Sequence, residues 1–144
     1  MNLLLDTHVW VWGLIAPDRL PRDVRARLDS EDDTLWISPI TVWEACILAE
    51  RGRLHVVGDR RTWIAAAYTS GRWQEAPLTC DVAFASRDLR VATEDPADRF
   101  LAATAKVQGL TFVTADSKLK DIPGVDVLAF KPRPATSGRK GPPT

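Results

Sequence analysis

Asn2-Leu3-Leu4-Leu5-Asp6-Thr7-His8 opens the chain with a short apolar run that ends on an acid, and Leu110-Thr111-Phe112-Val113-Thr114-Ala115-Asp116 repeats the design near the other end. Short apolar runs bounded by polar residues read as buried strands. Weaker strand signals lie at 35–37, 74–76 and 127–129, with helical patterns at 7–14, 21–30, 39–51, 60–70, 81–88 and 96–108. Strands alternating with helices of this length require right-handed crossovers. They predict an α/β fold: three layers, α/β/α, with a central, mainly parallel sheet. In such sheets the strand carboxyl ends and the amino ends of the following helices share one edge, where ligands bind near the switch in strand order. Asp6 and Asp116 both belong to that edge.

The chain has 144 residues, 45% hydrophobic and 26% charged, enough for one domain with a core and incompatible with a disordered chain. Its formal net charge of zero hides an asymmetry. Residues 1–130 hold 15 basic and 19 acidic side chains, a net charge of −4, whereas Lys131, Arg133, Arg139 and Lys140 lie in a stretch without acids. That stretch, 131–144, carries four prolines and two glycines and no aliphatic residue larger than Ala135. It is expected to be a disordered basic tail behind a folded domain at 1–130. An acidic body argues against gripping nucleic acid by bulk charge, so a polyanionic substrate would need local help. No basic residue precedes the first apolar run, and Asp6 and His8 interrupt it. A leader and a membrane span are therefore not expected, and a soluble, cytoplasmic protein is. Cys46 and Cys80 are too few for a disulfide scaffold or a zinc cage.

Four acids carry the chemistry. Taken singly, Asp6 and Asp116 are explained as helix caps, because a carboxylate at a helix start accepts backbone N–H bonds and suits the macrodipole. Asp98 stands in the first turn of a helix that starts with Asp95 as N-cap and Pro96 as first residue. Helical spacing aligns Asp98 with Leu101, Ala102 and Ala105, the stripe that should face the sheet. Glu44 lies beyond the first turn of its helix, flanked at i−4, i+3 and i+4 by Ile40, Ile47 and Leu48. A carboxylate on an apolar stripe is costly unless it is paired or binds a cation. Gathered at one edge, the four would repel one another and raise their pKa values unless a divalent cation compensated. All-oxygen ligation suits Mg²⁺ or Mn²⁺ better than Zn²⁺. Such a cation would also let an acidic body accept a phosphodiester.

These residues lie in stretches that resemble the PIN-domain ribonucleases, and among them the VapC-like toxins of toxin–antitoxin pairs. The stretches are Leu3-Leu4-Leu5-Asp6-Thr7-His8, Ser38-Pro39-Ile40-Thr41-Val42-Trp43-Glu44, Asp95-Pro96-Ala97-Asp98-Arg99-Phe100-Leu101-Ala102-Ala103-Thr104-Ala105 and Thr114-Ala115-Asp116. Their order matches the family from Met1 to about Phe130. The resemblance implies that Asp6, Glu44, Asp98 and Asp116 are catalytic, metal-binding acids supported by a hydroxyl at Thr7 or Thr114. It further implies a PIN-like fold and a Mg²⁺- or Mn²⁺-dependent endoribonuclease that leaves a 5′-phosphate and a 3′-hydroxyl. A homodimer and a VapB-like antitoxin that occupies the active-site groove are implied as well.

Arg99 and Lys118 stand beside the acids and are candidates to hold RNA phosphate, with Arg51 and Arg53 extending the path. His8 and His55 are not required by a metal mechanism. The six tryptophans fit core or dimer packing better than a base-stacking platform. Three rival functions fit the residues less well. A haloacid-dehalogenase-type phosphatase needs a second Asp two residues after the first, where this chain has His8. A receiver domain needs a phosphoacceptor Asp after the middle strand, where Glu75 and Pro77 stand. A catalytically silent PIN fold that only binds a partner is argued against by the intact acids.

Overall fold

The structure is a computed structural model and describes residues 1–135. Five strands, β1 (Asn2–Leu5), β2 (Thr34–Ile37), β3 (Trp73–Glu75), β4 (Thr111–Thr114) and β5 (Val127–Ala129), form one sheet in the order β3-β2-β1-β4-β5. Every pairing is parallel. Six helices connect them: α1 (Thr7–Ile15), α2 (Arg22–Asp29), α3 (Pro39–Glu50), α4 (Arg60–Ser70), α5 (Cys80–Asp88) and α6 (Pro96–Gln108). The expected α/β fold and its mainly parallel sheet are borne out. Among the described residues no helix is long and apolar enough to cross a membrane.

Period-2 alternation builds the two cores. On one face Leu3, Leu5, Leu35, Ile37 and Val113 pack with Val9 and Trp10 of α1, Val24 of α2, Ala45 of α3 and Ile64 of α4. On the other, Leu4 and Phe112 meet Val82 of α5 and the Leu101-to-Ala105 stripe of α6. Because β1 is covered on both faces it reads as an unbroken Leu-Leu-Leu run rather than an alternating one.

Element boundaries move by a residue or so from the sequence expectation, and at β4 the cause is visible. Gly109 closes α6 in the left-handed conformation (φ 66°), and Leu110 N–H bonds back to Ala105 O at 2.9 Å. That amide caps a helix, so the strand begins at Thr111. Just beyond position 130, Arg133 N donates to Arg19 O at 2.8 Å and Arg19 Nε donates to Arg133 O at 2.6 Å. Residues 131–133 are thus tied to the domain. The rest of the expected tail, 136–144, lies outside the described residues.

Candidate active site

The chain leaves β1 and β4 at the same edge, where the strand order reverses. The register Leu5↔Val113, extended by Asp6 N–H to Val113 O at 2.9 Å, sets Asp6 opposite Thr114. The Thr114 hydroxyl, fully buried, donates to Asp6 Oδ2 at 2.6 Å and accepts from Asp116 N–H at 3.1 Å. One hydroxyl thereby fixes the acids that end both strands. Asp6 also caps α1, its Oδ1 accepting from Thr7 N–H at 2.8 Å, and Asp116 caps a short 3-10 turn through Lys118 N–H at 2.9 Å. The capping and functional readings are therefore compatible, because each carboxylate caps and also lines the cavity below.

Ser38 caps α3, and Glu44 follows on the face toward α1, where the Thr7 hydroxyl donates to Glu44 Oε1. At α6 the cap is Asp95, whose Oδ1 accepts from Ala97 N–H at 2.9 Å. Asp98 is thus not needed as the cap. Its Oδ2 accepts only a long 3.3 Å bond from the Thr93 hydroxyl, which in turn accepts from Asp95 N–H.

Asp6, Glu44, Asp95, Asp98 and Asp116 line one cavity of about 400 Å³, with His8, Trp12, Lys118 and Pro132 completing much of its wall. None of the five acids is ion-paired among the described residues. Burial is the main force on three of them. Asp6, 7% exposed, is pushed above the usual carboxylate range by desolvation, opposed by its hydrogen bonds from Thr114 and Thr7. Glu44 is raised by desolvation against the Thr7 bond. Asp98 is raised to about 7 by desolvation and then by the charges of Asp6, Asp95, Glu44 and Asp116.

The donor set fits a hard divalent cation: oxygen throughout, anionic, at least partly shielded from solvent at Asp6, Glu44, Asp98 and Asp116, and not ion-paired among the described residues. No three of these groups already converge into a closed ligand set among the described residues. Asp6, Glu44, Asp98 and Asp116 are the residues that would hold a cation in this cavity.

A pH dependence follows. An acid whose folded-state pKa is raised keeps its proton when folded, so its stabilising contribution is present below about 4 and is lost as pH rises through about 7. Asp33 and Asp59 are shifted the other way, by the N-terminal amine and by Thr62 respectively, and titrate below this window. Because Asp98 is half-exposed its share is discounted to about 1–2 kcal/mol, or roughly 3–6 °C in Tm. In chelator, Tm should be higher at pH 5 than at pH 8, and a divalent cation should close the gap at pH 8. A Tm that rises from pH 5 to 8 without cation contradicts this account.

One expectation changes. Arg99 does not face the cavity: it is 8% exposed, and its guanidinium donates to Ser86 O at 2.8 Å, Leu89 O at 2.9 Å, Thr93 O at 3.2 Å and Arg87 O at 3.5 Å. A phosphate contact is replaced by a structural clamp, because one helical step turns Arg99 about 100° away from Asp98 and toward the end of α5. The tryptophans also divide: Trp10 is buried, whereas Trp43 is half-exposed on α3 and Trp12 lies at the cavity with the Arg19 guanidinium 4.7 Å above its ring. Lys118 does reach the cavity wall. Asp95, Thr93 and Pro132 are additions; Asp95 carried a signal only as an N-cap, and Pro132 none.

Fold and site together define a parallel-sheet α/β protein with a carboxylate-lined cavity at the switch in strand order. The chain belongs to the PIN-domain family, whose pattern matches residues 3–125. It is 30% identical over 120 residues to Ribonuclease VapC22 of Mycobacterium tuberculosis, covering 83% of this chain and 90% of that protein. Its fold is similar to FitAcB from Neisseria gonorrhoeae (26% identity, TM-score 0.54, 87% of this chain and 95% of that one). It is also similar to VapBC2 from Rickettsia felis, solved bound to a DNA fragment from their promoter (17% identity, TM-score 0.68, 91% and 100%).

Proposed function

We propose that this chain is the toxin of a toxin–antitoxin pair, an endoribonuclease that hydrolyses RNA phosphodiester bonds with Mg²⁺ or Mn²⁺ held by Asp6, Glu44, Asp98 and Asp116. The observation that carries it is the one cavity into which acids from four separated segments are folded, none of them ion-paired among the described residues. The likeness to Ribonuclease VapC22 supports the reaction, and the likeness to VapBC assemblies supports an antitoxin partner of the VapB type. Bound there, the cation supplies charge stabilisation at the phosphodiester and acidifies an attacking water.

The chain's own residues do the rest. Thr114 and Thr7 hold Asp6 and Glu44 in place by hydrogen bonds, so little reorganisation is needed on binding. The Asp95 cap leaves Asp98 available for the cavity. Lys118 at the wall offers a positive group to a phosphate oxygen.

Purified, antitoxin-free protein incubated with total RNA should cleave it with Mg²⁺ or Mn²⁺ and stop on chelation. Cleavage indifferent to chelator would sink the metal assignment. Glu44→Gln should keep the fold, since it removes a charge that burial disfavours, while weakening cation affinity or rate by about 10–100-fold. Loss of the folded state in Glu44→Gln, read by circular dichroism, would make its role structural instead.

A further inference from the structure

The acidic cavity does not stand alone at this edge. A second groove, of about 490 Å³, shares Ala115, Asp116 and Pro132 with it as a common wall and is otherwise lined by Lys120, Lys131 and Phe130, among others. Its charge is the reverse of its neighbour's: two lysines against Asp116, where the first cavity sets five acids against His8 and Lys118. Neither Lys120 nor Lys131 is ion-paired among the described residues. The groove is also held in shape. Phe130 N–H donates to Thr114 O at 3.1 Å, prolonging the β4–β5 ladder, and Arg133 exchanges two hydrogen bonds with Arg19, so Lys131 and Pro132 lie on backbone anchored at both ends.

We propose that this groove is the path of single-stranded RNA flanking the scissile bond, with Lys120 and Lys131 holding the phosphate groups next to the one in the acidic cavity and Phe130 giving a base an apolar face. The proposal rests on the nuclease function above and names how that site holds its substrate. A domain that is acidic through residue 130 has no bulk attraction for RNA, so affinity must come from local cations. Flanking phosphates cannot sit among the five acids, and the adjoining wall leads from the acids to the exposed lysines. Aromatic faces are sequence-tolerant base platforms, which suits a strand held by its backbone.

The test is fluorescence anisotropy of a labelled single-stranded oligoribonucleotide with the full-length Asp98→Asn protein, in which the RNA survives, with and without Lys120→Glu and Lys131→Glu. Both lysines are exposed, so thermal unfolding of the two proteins should coincide. Reversing both charges should weaken RNA binding at least about tenfold and lower the slope of log affinity against log salt by about 1.4, the share of two single-strand phosphates. An affinity within about twofold of the parent overturns the proposal, including where the variant loses only a protein partner, and so does a parent that binds no RNA. Cation-independent cleavage by the wild type would remove the metal assignment made above while leaving the affinity result to decide the groove.

Discussion

Asp98→Asn should lower RNA cleavage by about 10³-fold and, unusually for a loss of function, make the cation-free protein more stable. Asn is nearly isosteric and neutral. It removes an anionic oxygen donor from the cavity together with the charge that burial, Asp6, Asp95, Glu44 and Asp116 all oppose. Since that carboxyl is raised to about 7, its ionised form is a burden at pH 8. Removing it should stabilise the protein there by about 1 kcal/mol after allowance for screening at a half-exposed group. Asp6→Asn should abolish cleavage similarly without the same gain, because both Asp6 oxygens are already engaged, by Thr114 and by Thr7 N–H. Cleavage assays paired with Tm in chelator at pH 8 separate the cases. An Asp98→Asn protein that cleaves within tenfold of wild type, or melts well below it, would contradict the assignment.

Arg99→Met should destabilise the domain by about 3–5 kcal/mol, a large part of the stability of an ordinary domain. The guanidinium closes the carboxyl-terminal end of α5, where Ser86 and Arg87 carbonyls lack helical partners and the helix dipole favours a cation. Through Leu89 and Thr93 it also holds the loop that leads to Asp95. Met replaces the stem but leaves several carbonyls without a donor, each buried orphan costing about 1–3 kcal/mol. Arg99→Lys should recover little, as one ammonium cannot span carbonyls that a planar fork reaches. Urea unfolding measures this directly: a midpoint near the wild-type value would restore Arg99 as a surface residue free to meet substrate.

The different fates of Asp98 and Arg99 mark where sequence reading stops. Adjacent in the chain and both charged, they looked like partners at one site, and nothing local says that α5 ends where Arg99 points. The same holds for Lys131 and Pro132, whose composition reads as tail and whose position is set by Arg133 bonding to Arg19, 114 residues away. By contrast, every strand and helix was legible to within a residue or two. Apolar runs and the Asp95 cap followed by Pro96 are local signals, and local energies act on local spacing.

From its sequence alone this protein has a parallel α/β fold and four acids at one edge, because strand and helix periodicities fix which residues end each element and crossover handedness fixes where those ends lie. Only the tertiary structure decided which charges meet. Register brought Thr114 to Asp6, helix packing brought Thr7 to Glu44, and burial rather than sequence neighbours raised the carboxyls. Desolvation and hydrogen bonding depend on what surrounds a group in space, and the chain order does not contain that.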